Sequence, residues 1–103
     1  MPTTNEVFVA VANNHRRQLL DLLLHEPQSV NSLAAHFDMA RPSVSEHLSI
    51  LRKAGLVTEE KRGRERIYSL NARQLEPVSD WLSPYEKFWR GTLKDLRNHL
   101  EKN

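Results

Sequence analysis

The sequence predicts a mainly α-helical domain carrying one small β-hairpin, and three observations predict it. Apolar residues recur at three- and four-residue steps across most of residues 7–54 and again across 78–100, the period of a half-buried helix. Between Leu56 and Leu70 the pattern turns β-favouring, with Gly63 in the middle. A chain of 103 residues has room for one core and not for two. Hydrophobic residues are only 39% and charged residues 27%, so much of the chain must be surface. The longest unbroken apolar run is Val7 to Ala12, whereas a membrane span needs about 18 residues, so no membrane partner is expected. That run is also too short for a signal peptide and no Lys or Arg precedes it, which makes a cytoplasmic protein the expectation. Without cysteine there is no disulfide, zinc ribbon or thiolate nucleophile.

Taken in order, Val7, Phe8 and Val11 fit a short first helix, and Leu19 to Leu24 a second that follows Arg16 and Arg17 and ends at His25-Glu26-Pro27. Asn31 caps a third helix bearing Leu33, Ala34 and Phe37, after which Asp38 tolerates a left-handed turn. Pro42 suits the first turn of the fourth helix, whose buried stripe is Val44, Leu48 and Leu51 and which stops at Ala54-Gly55. Val57 and the run Ile67, Tyr68, Leu70 form a hairpin with the cationic tip Arg62-Gly63-Arg64-Glu65. Asn71 and Gln74 make a capping box for the last helical region. Its apolar positions keep their spacing across Pro84, which predicts one long helix kinked there. Ser83-Pro84-Tyr85-Glu86 is also a capping box that would divide it.

A helix-turn-helix at about 31–54, a wing at about 57–70 and a helix at about 72–101 make a winged helix-turn-helix in a single domain over 1–103. The second helix of the pair is narrow enough for the major groove, the first braces it, and the hairpin reaches the neighbouring backbone. Charge follows the same division. Residues 1–40 carry 2 basic and 4 acidic side chains, residues 41–73 carry 8 and 4, and residues 74–103 carry 5 and 5. The basic middle points to one local anionic partner surface, and charge alone leaves two readings open, a nucleic acid or a merely solvated basic loop. The helix-turn-helix and wing make double-stranded DNA the expected partner. Arg41 suits bidentate contact with guanine and Glu46 the amino group of cytosine, while Ser43, Ser45 and His47 suit phosphate.

The stretches "RRQLLDLLL", "LAAHFDMARPSVSEHLSILRKAGLV", "RGRERIYSL" and "WLSPYEKFWRGTLKDL" together resemble the ArsR/SmtB family of bacterial winged-helix regulators, over almost the whole chain. Ala34, Val44, Ser45, His47, Leu48, Leu51, Gly55 and Leu56 stand at family spacing. The segment from Trp81 to Trp89 is similar to a subgroup without obvious metal ligands, some of whose members are autorepressors. The resemblance implies a homodimer, paired through its first and last helices, that represses transcription from a palindromic operator. It places DNA contacts at Arg41, Ser43, Ser45, Glu46 and His47, and wing contacts at Arg62, Arg64 and Arg66. Departures are Ala40 in place of an N-cap serine, Asn13-Asn14-His15 in place of Asp-Pro-Thr, and Ser29-Val30-Asn31 where metal sensors of the family carry cysteines.

Four of the seven aromatic residues fall between 81 and 89, on a terminal helix that a small monomer has little core left to cover. The expected dimer interface is therefore Phe8, Val11, Trp81, Tyr85, Phe88, Trp89, Leu93 and Leu96; an aromatic ligand pocket is the competing reading of the same stripe. Asp95 and His99, four apart on one helix face, are the one candidate metal pair, and an i,i+4 acid and imidazole is more often a surface ion pair. No cofactor or metal is expected. His15, His25 and His36 are assigned no function and read as solvated. No nucleophile with a base, carboxylate pair or metal-bound water groups together, so an enzyme is not expected. The alternatives are a winged-helix protein-interaction module, against which the cationic hairpin argues, and a metal-responsive repressor using Asp95 and His99.

Overall fold

The computed structural model describes residues 2–101, and the side chains of these apart from 93–95 and 101. Helix α1 (Thr4–Val11) begins at a capping box in which Thr3 accepts from the Glu6 amide and the Glu6 carboxylate accepts from the Thr3 amide. Helix α2 (Asn14–His25) begins at Asn13, whose side chain accepts from the amides of His15 and Arg16. A two-residue strand β1 (Gln28–Ser29) leads into the single-turn helix α3 (Val30–Ala34). Helix α4 (Arg41–Lys53) follows, then strands β2 (Val57–Arg62) and β3 (Glu65–Leu70), a 3₁₀ turn over Ala72–Leu75, and helix α5 (Glu76–Glu101). The core comes from α1 to α4, β2 and β3 and the Ala54–Leu56 link: Val7, Leu19, Leu23, Leu33, Val44, Leu48, Leu51, Leu56, Val57 and Tyr68 are all buried. Among the described residues no helix is long and apolar enough to cross a membrane.

Several expectations are corrected. The sheet is three-stranded and antiparallel in the order β1-β3-β2, because Gln28 pairs with Tyr68 and Ser29 with Ile67. A two-residue strand has no periodicity to read. Ser29, not Asn31, caps α3, its hydroxyl accepting from the Ser32 amide at 3.1 Å, and the helix stops before Phe37. No residue other than glycine has a positive φ among the described residues, so Asp38 makes no left-handed turn. Asn71 caps nothing with its side chain; its amide group donates instead to the Gly55 carbonyl at 3.0 Å and ties the end of the wing to the end of α4. Helix α5 runs unbroken through Pro84, so the second start at Ser83 is not taken.

Candidate nucleic-acid interface

Helix α4 is placed by its apolar stripe. Val44, Leu48 and Leu51 are completely buried, which turns Arg41, Ser43, Ser45 and Glu46 to solvent and leaves His47 half-buried at the margin. Ala40 offers the helix start no side-chain hydrogen bond, as its residue type requires. Pro42 has no N–H and the Ser43 and Val44 amides donate to the Ala40 carbonyl at 3.0 and 3.3 Å, so the backbone itself closes most of the first turn. The far end closes tightly. The Gly55 amide donates to the Arg52 carbonyl at 2.9 Å and the Leu56 amide to the Leu51 carbonyl at 3.0 Å, a Schellman motif that needs Gly55 at φ +78°.

The wing turns at Gly63-Arg64, since Arg62 pairs with Glu65. Gly63 has φ +62° and Arg64 a negative φ, the sign pattern of a type II′ hairpin turn. The three wing arginines are not equivalent. Arg66 donates to Glu59 at 2.7 Å, and the Tyr68 hydroxyl donates to the other oxygen of that carboxylate at 2.6 Å. This hydroxyl first, then the neighbouring arginines, holds the Glu59 carboxyl below the usual carboxylate range against a counteracting burial. Burial, and then Glu59, pushes the Tyr68 phenol up to about 12. Arg62 pairs with Glu60 at 3.2 Å, but both side chains are about two-thirds exposed and water can replace the contact. Arg64, at the tip, has no hydrogen bond or ion pair among the described residues. Arg41, Arg64 and Arg66 line one cleft with Ser29 and Asn31, between the start of α4 and the wing. Glu65 lines it too, and Arg66 is already held by Glu59, so Arg41 and Arg64 are the guanidiniums left to meet an anion of phosphate size there.

His47 has partners the sequence did not disclose. The Arg16 Nη1 lies 3.4 Å from its Nδ1, and its ring centroid is 5.7 Å from that of His15. Burial, Arg16 and His15 lower its pKa below the ordinary histidine value, with Glu46 opposing. His15 also meets Phe37 edge-on at 6.1 Å, so the reading of His15 as solvated is corrected: it is half-buried. Two adjacent arginines just inside α2, after a helix with no basic residue in its own last turn, were the available signal. Arg16 and Arg17 do cap α1, donating to the carbonyls of Ala10, Val9 and Val11.

On the opposite side Phe8 meets Trp81 edge-on at 5.7 Å, and Trp81 lies 5.7 Å from Tyr85. Phe8 and Val11 are half-buried. Trp81, Tyr85, Trp89 and Leu96 are about half exposed, and Phe88 is 72% exposed. Of the expected interface and metal residues, the Leu93 and Asp95 side chains lie outside the described residues. His99 is exposed, and no group of three metal-ligating side chains occurs among the described residues.

Residues 13–59, which run from the start of α2 into β2, match the family described as bacterial regulatory protein, arsR family. The chain is 36% identical to the transcriptional repressor SdpR of Bacillus subtilis (strain 168) over 78 residues, which are 76% of this chain and 87% of that one. It is 34% identical over 89 residues to the HTH-type transcriptional regulator Rv2034 of Mycobacterium tuberculosis, 86% of this chain and 80% of the relative. A crystal structure of an ArsR family transcriptional regulator superposes with a TM-score of 0.74 at 32% identity, covering 87% of this chain and 97% of that one. The chain belongs to the arsR family. Its winged-helix fold and its role as a DNA-binding transcriptional regulator follow from that membership together with the fold. Within the arsR-family chain, the matched region contains all of α4, and the wing tip and α5 lie beyond it.

Proposed function

We propose that this arsR-family regulator is a repressor that binds a two-fold symmetric operator as a homodimer, without catalytic activity. The observation that carries it is the cleft between the start of α4 and the wing, where Arg41 and Arg64, neither in an ion pair among the described residues, come together. In this reading α4 enters the major groove and the cleft takes a backbone phosphate. Arg41 then serves the phosphate alongside the wing, a revision of the guanine contact expected from its residue type. Ser43, Ser45, Glu46 and His47 meet the groove, and Arg62 adds only a screened charge. Repression is supported by the likeness to SdpR, itself a repressor. Dimerisation is supported by the apolar stripe on α5, which its own chain leaves uncovered. A winged-helix interaction module would need no cluster of arginines at the wing.

Selection of duplexes from a random pool by the purified protein, followed by footprinting and by a reporter fused to the recovered site, tests all parts. An inverted repeat with half-sites about one helical turn apart, roughly 34 Å, and reporter silencing are expected. Recovery of no preferred sequence would overturn the operator reading, and reporter activation would overturn repression.

A further inference from the structure

Arg16 connects two parts of the molecule that have different tasks. Its Nε donates to the Ala10 carbonyl at 2.7 Å and its Nη2 to the Val9 carbonyl at 3.1 Å, both at the C-terminal end of α1. With the guanidinium held by two contacts, its Nη1 faces Nδ1 of His47 at 3.4 Å. A guanidinium only donates, so Nδ1 of His47 accepts and the ring proton resides on Nε2. His15 covers the ring at 5.7 Å and a 38° tilt, and is itself seated on Phe37. The charged and titratable neighbours of His47 are thus Arg16 and His15 from α2 and Glu46 from α4.

We propose that Arg16 is a positioning residue for DNA recognition, holding His47 in the neutral Nε2-protonated form so that α4 presents a fixed N–H donor to an acceptor on DNA. This rests on the reading of the α4 face as the DNA-binding face. Phosphate oxygens, and O6 and N7 of guanine, are acceptors only, so a ring that presented a bare nitrogen would repel them. Committing Nδ1 to Arg16 removes that state before DNA arrives. Because the same guanidinium holds the end of α1, and Phe8 of α1 touches Trp81 of α5, His47 is also tied to the apolar side of the molecule.

The test is a double-mutant cycle of Arg16→Gln and His47→Ala, read as affinity for a duplex selected by the wild-type protein and for a random duplex of equal length. Imidazole ¹⁵N spectra of the free proteins accompany it. Expected are an unprotonated Nδ1 and a protonated Nε2 for His47 in the wild type, and a higher His47 titration midpoint in Arg16→Gln. Arg16→Gln should weaken binding to the selected duplex about tenfold alone, and less than about twofold in the His47→Ala background. Losses confined to the selected duplex assign the acceptor to a base, and equal losses on both duplexes assign it to phosphate; either supports the proposal. Additive losses, or a protonated Nδ1 in the neutral wild-type ring, would overturn the proposal and leave the α4 reading intact. Full affinity in His47→Ala would overturn the proposal by removing His47 from the contacts, whereas full affinity in Arg41→Ala and Ser45→Ala would overturn the α4 reading itself. Should Arg16→Gln fail to fold, Arg16→Lys takes its place in the cycle, and the wild-type spectrum decides the tautomer alone.

Discussion

At the scale of single residues the wing separates cations that are spent from one that is not. Arg66 is committed to Glu59 and Arg62 to a solvated pair, whereas Arg64 has no protein partner among the described residues. Arg64→Ala should weaken binding to selected and random duplexes alike and lower the salt slope of log affinity by about one unit. A salt titration of binding anisotropy checks this; an unchanged slope would remove Arg64 from the phosphate contacts. Tyr68 supports the wing from below. Its folded pKa is raised to about 12, so its contribution to stability is complete below an unfolded value of about 10. That contribution is then lost as pH rises through the folded value. Glu59 behaves in the opposite sense: its lowered pKa adds stability that is present above the ordinary carboxylate range and disappears as pH falls through the folded value. Tyr68→Phe should therefore flatten the urea midpoint against pH at both ends, and profiles parallel to the wild type would show that the Tyr68–Glu59 contact carries no linkage.

At the scale of elements, two glycines with positive φ do unequal work. Gly55 ends α4 and starts β2, and a Cβ there would meet the Gln74 side chain at 2.6 Å and the Pro2 ring at 3.2 Å. Gly63, at the wing tip, has open space around it. Both substitutions to alanine incur the left-handed backbone cost of about 1–2 kcal/mol. Gly55→Ala must also displace the flexible end of Gln74 and crowd the Pro2 ring, and should cost slightly more than Gly63→Ala in urea unfolding, by less than about 1 kcal/mol. Equal losses would mean that Gln74 and Pro2 move aside freely. Gly55 bears on function because it lies in the short link between α4 and β2, the elements that lead to Arg41 and Arg64.

At the scale of the molecule, α5 does not fit inside one globule. The radius of gyration is 17.4 Å, against about 13 Å for a compact domain of this length. The longest dimension is 59 Å against 22 Å for the shortest. The 26 residues of α5 extend this axis and carry Trp81, Tyr85, Phe88 and Trp89 with about half or more of their surface in water. A symmetric partner would cover that stripe and set two α4 helices at operator spacing. Trp89→Glu should shift the sedimenting species from dimer to monomer and abolish high-affinity operator binding while weak single-site contacts persist. A wild-type monomer at micromolar concentration, or a Trp89→Glu protein that still binds as a dimer, would overturn this interface.

What the sequence determined by itself was whatever rests on periodicity and short-range chemistry. The stripe Val44, Leu48, Leu51 defined α4 and its outer face, Ala54-Gly55 its end, and Gly63 the turn of a cationic hairpin, because helix faces and tight turns are encoded within a few residues. The apolar spacing on either side of Pro84 likewise carried the reading of one long helix. Strand β1 was illegible because two residues acquire strand geometry only by pairing with β3. The choice of Ser29 over Asn31 as cap turned on where that strand ends. Arg16 gave no sign of its reach to His47, and nothing local distinguishes Arg66, spent on Glu59, from Arg64 two residues earlier. Those differences were decided by tertiary structure, since a long side chain takes whichever partner the folded backbone brings within hydrogen-bonding distance, and sequence separation says nothing about that distance.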